Sequence, residues 1–144
     1  QVKSDMEIAI ENGHIPLLAR TESEFNQRNA WLFPITPTLP SPILKTWMKQ
    51  EISTPEQNEN IWHAANSFID TPTLMKLAPQ LEMPTLIIWC KEDRIFHVSG
   101  ADVLDAKLPN SSRKILYECG HLPMLDKAEL VAHLYLVFLH EIGH

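Results

Sequence analysis

Between Ile43 and Ile69 the apolar positions recur at three- and four-residue intervals: Ile43, Leu44, Trp47, Met48, then Ile61, Trp62, Ala65, Phe68 and Ile69. That period places them on one face of successive helices. Start signals of a common form punctuate this part of the chain. Ser4-x-x-Glu7, Thr21-x-x-Glu24 and Thr54-Pro55-Glu56-Gln57 have the reciprocal capping pattern, and Ser41-Pro42 and Thr71-Pro72 put a cap residue before a proline at the first helical position. Together they predict five short helices in the first eighty residues. Of the four tryptophans only Trp89 lies outside this part. Two readings fit the aromatic stripes, an ordinary helical core or a lid lined by Trp31, Phe33, Trp47 and Met48.

From Met83 the pattern changes. PTLIIWC is an apolar run bounded by proline, too short for a helix and rich in β-formers, and Leu86, Ile87, Ile88 and Trp89 do not alternate with polar residues. It predicts a central strand of a parallel sheet, covered on both faces. A polar turn, KEDRIFHV, leads to a helix from about Ser99 to Leu108, a turn at Pro109-Asn110-Ser111 and a second strand, RKILYE. That is a β-α-β unit. A last helix is expected from Asp126, capped by Asp126-Lys127-Ala128-Glu129 and carrying Leu130, Leu134, Phe138 and Ile142 on one face. The class is therefore α/β, with a helical segment at 1–80 and a β-α-β-α segment at 81–144. Two strands do not suffice to bury a run like LIIW on both faces. The expectation is an incomplete fold, completed by chain upstream in the natural protein or by strands borrowed from another copy, with homo-oligomers through an exposed sheet edge as the consequence of the latter. The first residue is not Met, which favours the upstream chain.

Composition narrows the partners. A chain of 144 residues with 44% hydrophobic and 21% charged residues is ordinary for a globular domain, and a net charge of −6 offers no basic surface to nucleic acid. No apolar run has the length of a membrane span, and the start lacks the basic-then-apolar layout of a signal peptide. Cys90 and Cys119 are too few for a disulfide framework and are expected as free thiols. The compartment stays open.

Ligand crevices of open parallel sheets lie beyond the carboxyl ends of the strands. The loops there carry Lys91-Glu92-Asp93 and Gly120-His121. Parallel neighbours about 4.8 Å apart bring both loops to one edge, so an acid and a histidine face one crevice. Gly120 supplies freedom for a sharp exit from the strand, and Leu122-Pro123-Met124 can wall the imidazole from water. A carboxylate beside an imidazole orients it and stabilises its protonated form. Asp93 and Glu92 both qualify as that acid. Two metal readings compete: Cys90, Asp93, Cys119 and His121 as a ligand set, and the terminal His140-Glu-x-x-His144 pattern. The cysteines lack paired metal-ligand spacing, and the terminal histidines project with His133 onto a solvent face, so neither metal nor cofactor is expected.

The stretch PTLIIWCKEDRIFHVSGADVLDAKLPNSSRKILYECGHLPMLDKAELVAHLYLVFL resembles the C-terminal part of α/β-hydrolases, and VSGAD with ECGH is similar to the monoacylglycerol-lipase-like members. PLLARTESEFNQ is more weakly similar to their cap and lid. The resemblance selects Asp93 over Glu92 as triad acid and makes His121 the general base. It also implies a substrate crevice under the lid, with Leu122 beside the residues already named, and a small-molecule acyl ester or lipid as substrate. The chain departs from the family in two places. Cys90 stands where members usually have Gly, and no Ser lies in Gly-x-Ser-x-Gly; Ser99, the nearest, reads as a helix cap. The nucleophile and oxyanion hole are thus expected upstream, and the chain alone is expected to be inactive. Two alternatives stay open, a non-catalytic binding or assembly module and a relative with an Asp nucleophile, as in epoxide hydrolases and dehalogenases.

Overall fold

The computed structural model describes residues 2–36, 39–68 and 71–143. Five helices come first: α1 (Asp5–Glu11), α2 (Glu22–Leu32), α3 (Ser41–Ser53), α4 (Pro55–Phe68) and α5 (Thr71–Leu77), the last running into a 3-10 turn at Ala78–Gln80. Then follow β1 (Thr85–Cys90), α6 (Ser99–Asp105), β2 (Ser111–Leu116), α7 (Pro123–Asp126) and α8 (Ala128–Glu141). Ile69 of the predicted apolar stripe and the terminal His144 lie outside the described residues.

Local chemistry starts the first two helices. The Ser4 hydroxyl accepts from the Glu7 backbone N–H at 3.1 Å while the Glu7 carboxylate accepts from Ser4 N–H at 2.7 Å, and Thr21 and Glu24 repeat the exchange. Glu24 also accepts from Arg20 N–H, and these backbone donors, Arg20 first, hold its carboxyl below the ordinary carboxylate value. At α3 the cap differs from expectation. The helix starts at Ser41 itself after an N-cap Pro40, whose carbonyl accepts from Ile43 and Leu44, so the Ser41 side chain caps nothing.

β1 and β2 pair in parallel with Thr85 opposite Ser111 and Cys90 opposite Leu116. The second strand begins two residues before the predicted one and ends at Leu116, because Glu118 adopts φ 56° and turns the chain off the sheet. In the two-stranded sheet Leu86, Ile88 and Trp89 are only half-buried, while Ile87 and Cys90 are buried. Cys90, Leu116 and Cys119 form the core at the carboxyl end, covered by Ile88 and by Val131 and Leu134 of α8.

Three expectations for this half are corrected. Asp126 does not cap the last helix: it closes α7, its carboxylate accepts from Gly120 N–H at 2.7 Å, and α8 starts uncapped at Ala128. Of the predicted α8 stripe, Leu134, Phe138 and Ile142 are half-buried, but Leu130 is 43% exposed and Val131 packs in its place against the cluster at the end of β1. Cys90 and Cys119 are joined in a disulfide, with Cα atoms 5.4 Å apart, rather than being free thiols. Neighbouring strand ends bring them together, which a separation of 29 residues in sequence does not reveal.

Candidate active site at the strand ends

The turn after β1 is organised by one carboxylate. Asp93 Oδ1 accepts from the backbone N–H groups of Ile95 at 2.8 Å and Phe96 at 3.0 Å, which folds residues 93–96 around the side chain. The other oxygen, Oδ2, lies 3.1 Å from His121 Nδ1. With only 6% of the Asp93 side chain exposed, the acid has one orientation available, and Ile95 beside it is buried. Glu92 is exposed, so of the two candidate acids it is Asp93 that reaches the imidazole.

His121 is held from several directions. Its backbone N–H donates to Leu32 O at 2.9 Å, and the Phe96 ring meets the imidazole edge-on at 5.3 Å. Gly120 is needed here for closeness rather than for an unusual dihedral. A Cβ on it would stand 2.5 Å from Leu32 O and 2.8 Å from Pro34 Cδ. The imidazole remains 27% exposed, and with Nδ1 donating to the carboxylate, Nε2 is the nitrogen left with a free lone pair. An imidazole so held can accept a proton at Nε2, with the Asp93 carboxylate placed to stabilise the imidazolium.

The remaining candidates divide. Trp31 lies under the guanidinium of Arg94, 3.9 Å from its ring centroid, and helps line a cavity of about 300 Å³ with Asp5, Glu92, Asp93 and His97. Phe33 is buried at 3% exposure and serves as core. Trp47 stacks edge-on against Phe25 at 4.9 Å with Arg28 over both rings, which ties α3 to α2. Met48 is half-buried on the same helix, and Leu122, half-buried, follows His121 directly as the N-cap of α7. Sequence reasoning missed Leu32, Phe96 and Asp126 as supports of the histidine loop. Only Asp126 carried a signal, a polar residue just after an apolar wall, and it reads equally well as a helix cap.

The metal reading that uses the two cysteines is overturned. The sulfurs of Cys90 and Cys119 are bonded to each other, and no cluster of three or more His, Cys, Asp or Glu able to hold a metal occurs among the described residues. The terminal helix ends at Glu141, and His144 of the His140-Glu-x-x-His144 pattern lies outside the described residues.

Parallel strands whose carboxyl ends present an acid and an imidazole, flanked by helices, agree with the match to the family model described as alpha/beta hydrolase fold, over residues 22–128. The chain belongs to that family, and its likeness within it is to lipases and esterases. Monoacylglycerol lipase ABHD6 of Mus musculus is 38% identical over 60 residues, 42% of this chain and 18% of that protein. Monoacylglycerol lipase abhd6-B of Xenopus laevis is 27% identical over 90% of this chain and 38% of its own length. The crystal structure of a membrane phospholipase A, a bacterial virulence factor, superposes with TM-score 0.89 and 29% identity over 98% of this chain and 45% of that one. The chain thus spans less than half the length of these relatives. No helix among the described residues is long and apolar enough to cross a membrane.

Proposed function

We propose that the chain supplies the acid and base of a serine-type carboxylic ester hydrolase, of monoacylglycerol-lipase-like specificity, whose nucleophile comes from a segment outside these 144 residues. The observation that carries the reading is the 3.1 Å contact between His121 Nδ1 and a buried Asp93 whose other oxygen is taken by two backbone N–H groups. The lipase names of the relatives support the substrate class.

In this reading His121 Nε2 takes the proton of the serine hydroxyl as its oxygen adds to the ester carbonyl. Asp93 stabilises the imidazolium. Collapse of the tetrahedral intermediate breaks the bond to the alcohol, which leaves with the proton from Nε2, and the acyl group stays on the serine. Water then adds to the acyl carbon, giving its proton to Nε2, and the serine departs with that proton as the carboxylic acid is released. The oxyanion donors belong to the nucleophile turn and an earlier loop, so the chain by itself is inactive.

The test treats the full-length natural protein with a serine-reactive fluorophosphonate. Labelling is expected, and its absence would sink the serine reading in favour of an Asp nucleophile or a binding module. His121→Ala in the same protein should abolish ester turnover with unchanged circular dichroism.

A further inference from the structure

The hydrogen-bonded ladder between the two strands stops at Lys91 N–H donating to Leu116 O. Beyond it the loop bearing the acid and the loop bearing the imidazole separate. The Asp93–His121 contact joins them again, and the disulfide between Cys90 and Cys119 ties the end of β1 to the base of the histidine loop. Cys90 is the last residue of β1 and lies three residues before Asp93; Cys119 lies two before His121. Both are buried, at 1% and 0% exposure, in one cluster with Leu116. Between Leu116 and Cys119 the chain passes through Glu118 at φ 56°, a left-handed conformation unfavourable for a side chain, and that detour sets Cys119 against Cys90 instead of continuing the strand.

We propose that the Cys90–Cys119 disulfide is a positioning element for the Asp93–His121 pair, fixing the bases of both loops so that Nδ1 and Oδ2 stay within hydrogen-bond distance. The inference rests on the reading of that pair as acid and base. The covalent tie is useful here because a neutral imidazole exchanges its carboxylate partner for water at little cost unless both backbones are held. Neither cysteine touches the reacting atoms, and the sulfurs take no part in proton transfer.

The test uses the full-length hydrolase. Dithiothreitol breaks the bond by supplying two electrons and two protons, closing to its own cyclic disulfide and leaving two thiols, and removal of the reductant under an oxidant restores it. Turnover of a soluble nitrophenyl ester should show kcat falling at least fivefold on reduction, with KM within twofold, and recovering on reoxidation. The double variant Cys90→Ala/Cys119→Ala, assayed well below its Tm, should show the same split. In proton NMR the His121 Nδ1 proton, sheltered by its bond to Asp93, should give a downfield resonance in the oxidised protein that broadens away on reduction. Unchanged kcat and an unchanged resonance in reduced protein of native circular dichroism would overturn the proposal, as would recovery of two thiols from the untreated, denatured protein. An active His121→Ala variant would instead remove the acid-base reading on which it rests. An inactive His121→Ala variant beside an unaffected disulfide variant removes the positioning role alone.

Discussion

The turn that follows β1 and the helical stretch α3–α4 are built by opposite means. In the turn, one buried carboxylate gathers two backbone N–H groups and an imidazole from 28 residues away, and a disulfide ties the end of β1 to the histidine loop. In α3–α4 the apolar stripe that predicts the helices is left partly uncovered, with Ile43 57% and Ile61 58% exposed and no residue of α3 buried. Their attachment to the rest runs through side chains: Trp47 against Phe25, Arg28 to Glu51 at 2.8 Å, and an ion pair of Arg20 with Glu59. The N-terminal helices side with the turn. Met6 N–H donates to Arg94 O, Arg94 pairs with Asp5 and covers Trp31, and Leu32 O holds His121. Rigid, covalently tied backbone is concentrated where acid and imidazole meet, and the part with the least burial is where local motion costs least.

Removing the hub of the first region should have the largest effect. Asp93→Asn in the full-length protein keeps an oxygen for the N–H groups of Ile95 and Phe96 but presents the imidazole with a neutral partner. A loss of about 10³- to 10⁴-fold in kcat is expected for such a change, read from initial rates of ester hydrolysis. A loss under tenfold would break the contrast between the two regions. Gly120→Ala tests how tightly the histidine loop is set on Leu32. Its new methyl group has backbone on one side and Pro34 on the other, so about 1–3 kcal/mol of stability should be lost in urea unfolding, the range for overpacked positions. The smallest effect belongs to the second region. Glu51→Gln leaves the Arg28 guanidinium, with its side chain 10% exposed and its Nε already buried without a partner, facing a neutral group. The cost should be about 1–2 kcal/mol in the same unfolding experiment, with turnover of a soluble ester unchanged. Should Glu51→Gln depress kcat as well, α3 is coupled to the site and the two regions are not independent.

Sequence by itself determined the order of elements and the edge at which chemistry collects. Capping pairs act over three residues, and at Ser4 with Glu7 and Thr21 with Glu24 they formed as the local pattern reads. The β-α-β order makes the strands parallel, which sends Asp93 and His121 to one end whatever surrounds them. Where a residue had two local uses, sequence could not choose. Asp126 had the pattern of a helix cap, yet its carboxylate serves the Gly120 N–H; Leu130 had the spacing of a core residue, yet the strand ends recruited Val131 in its place. The disulfide lay wholly beyond reach, because pairing depends on a Cα separation of 5.4 Å that arises only after the strands align and Glu118 turns the chain. The same holds for Leu32, an apolar helix residue whose carbonyl, not its side chain, holds the histidine loop. Backbone groups carry no residue identity, so their tertiary roles are written only in the folded chain.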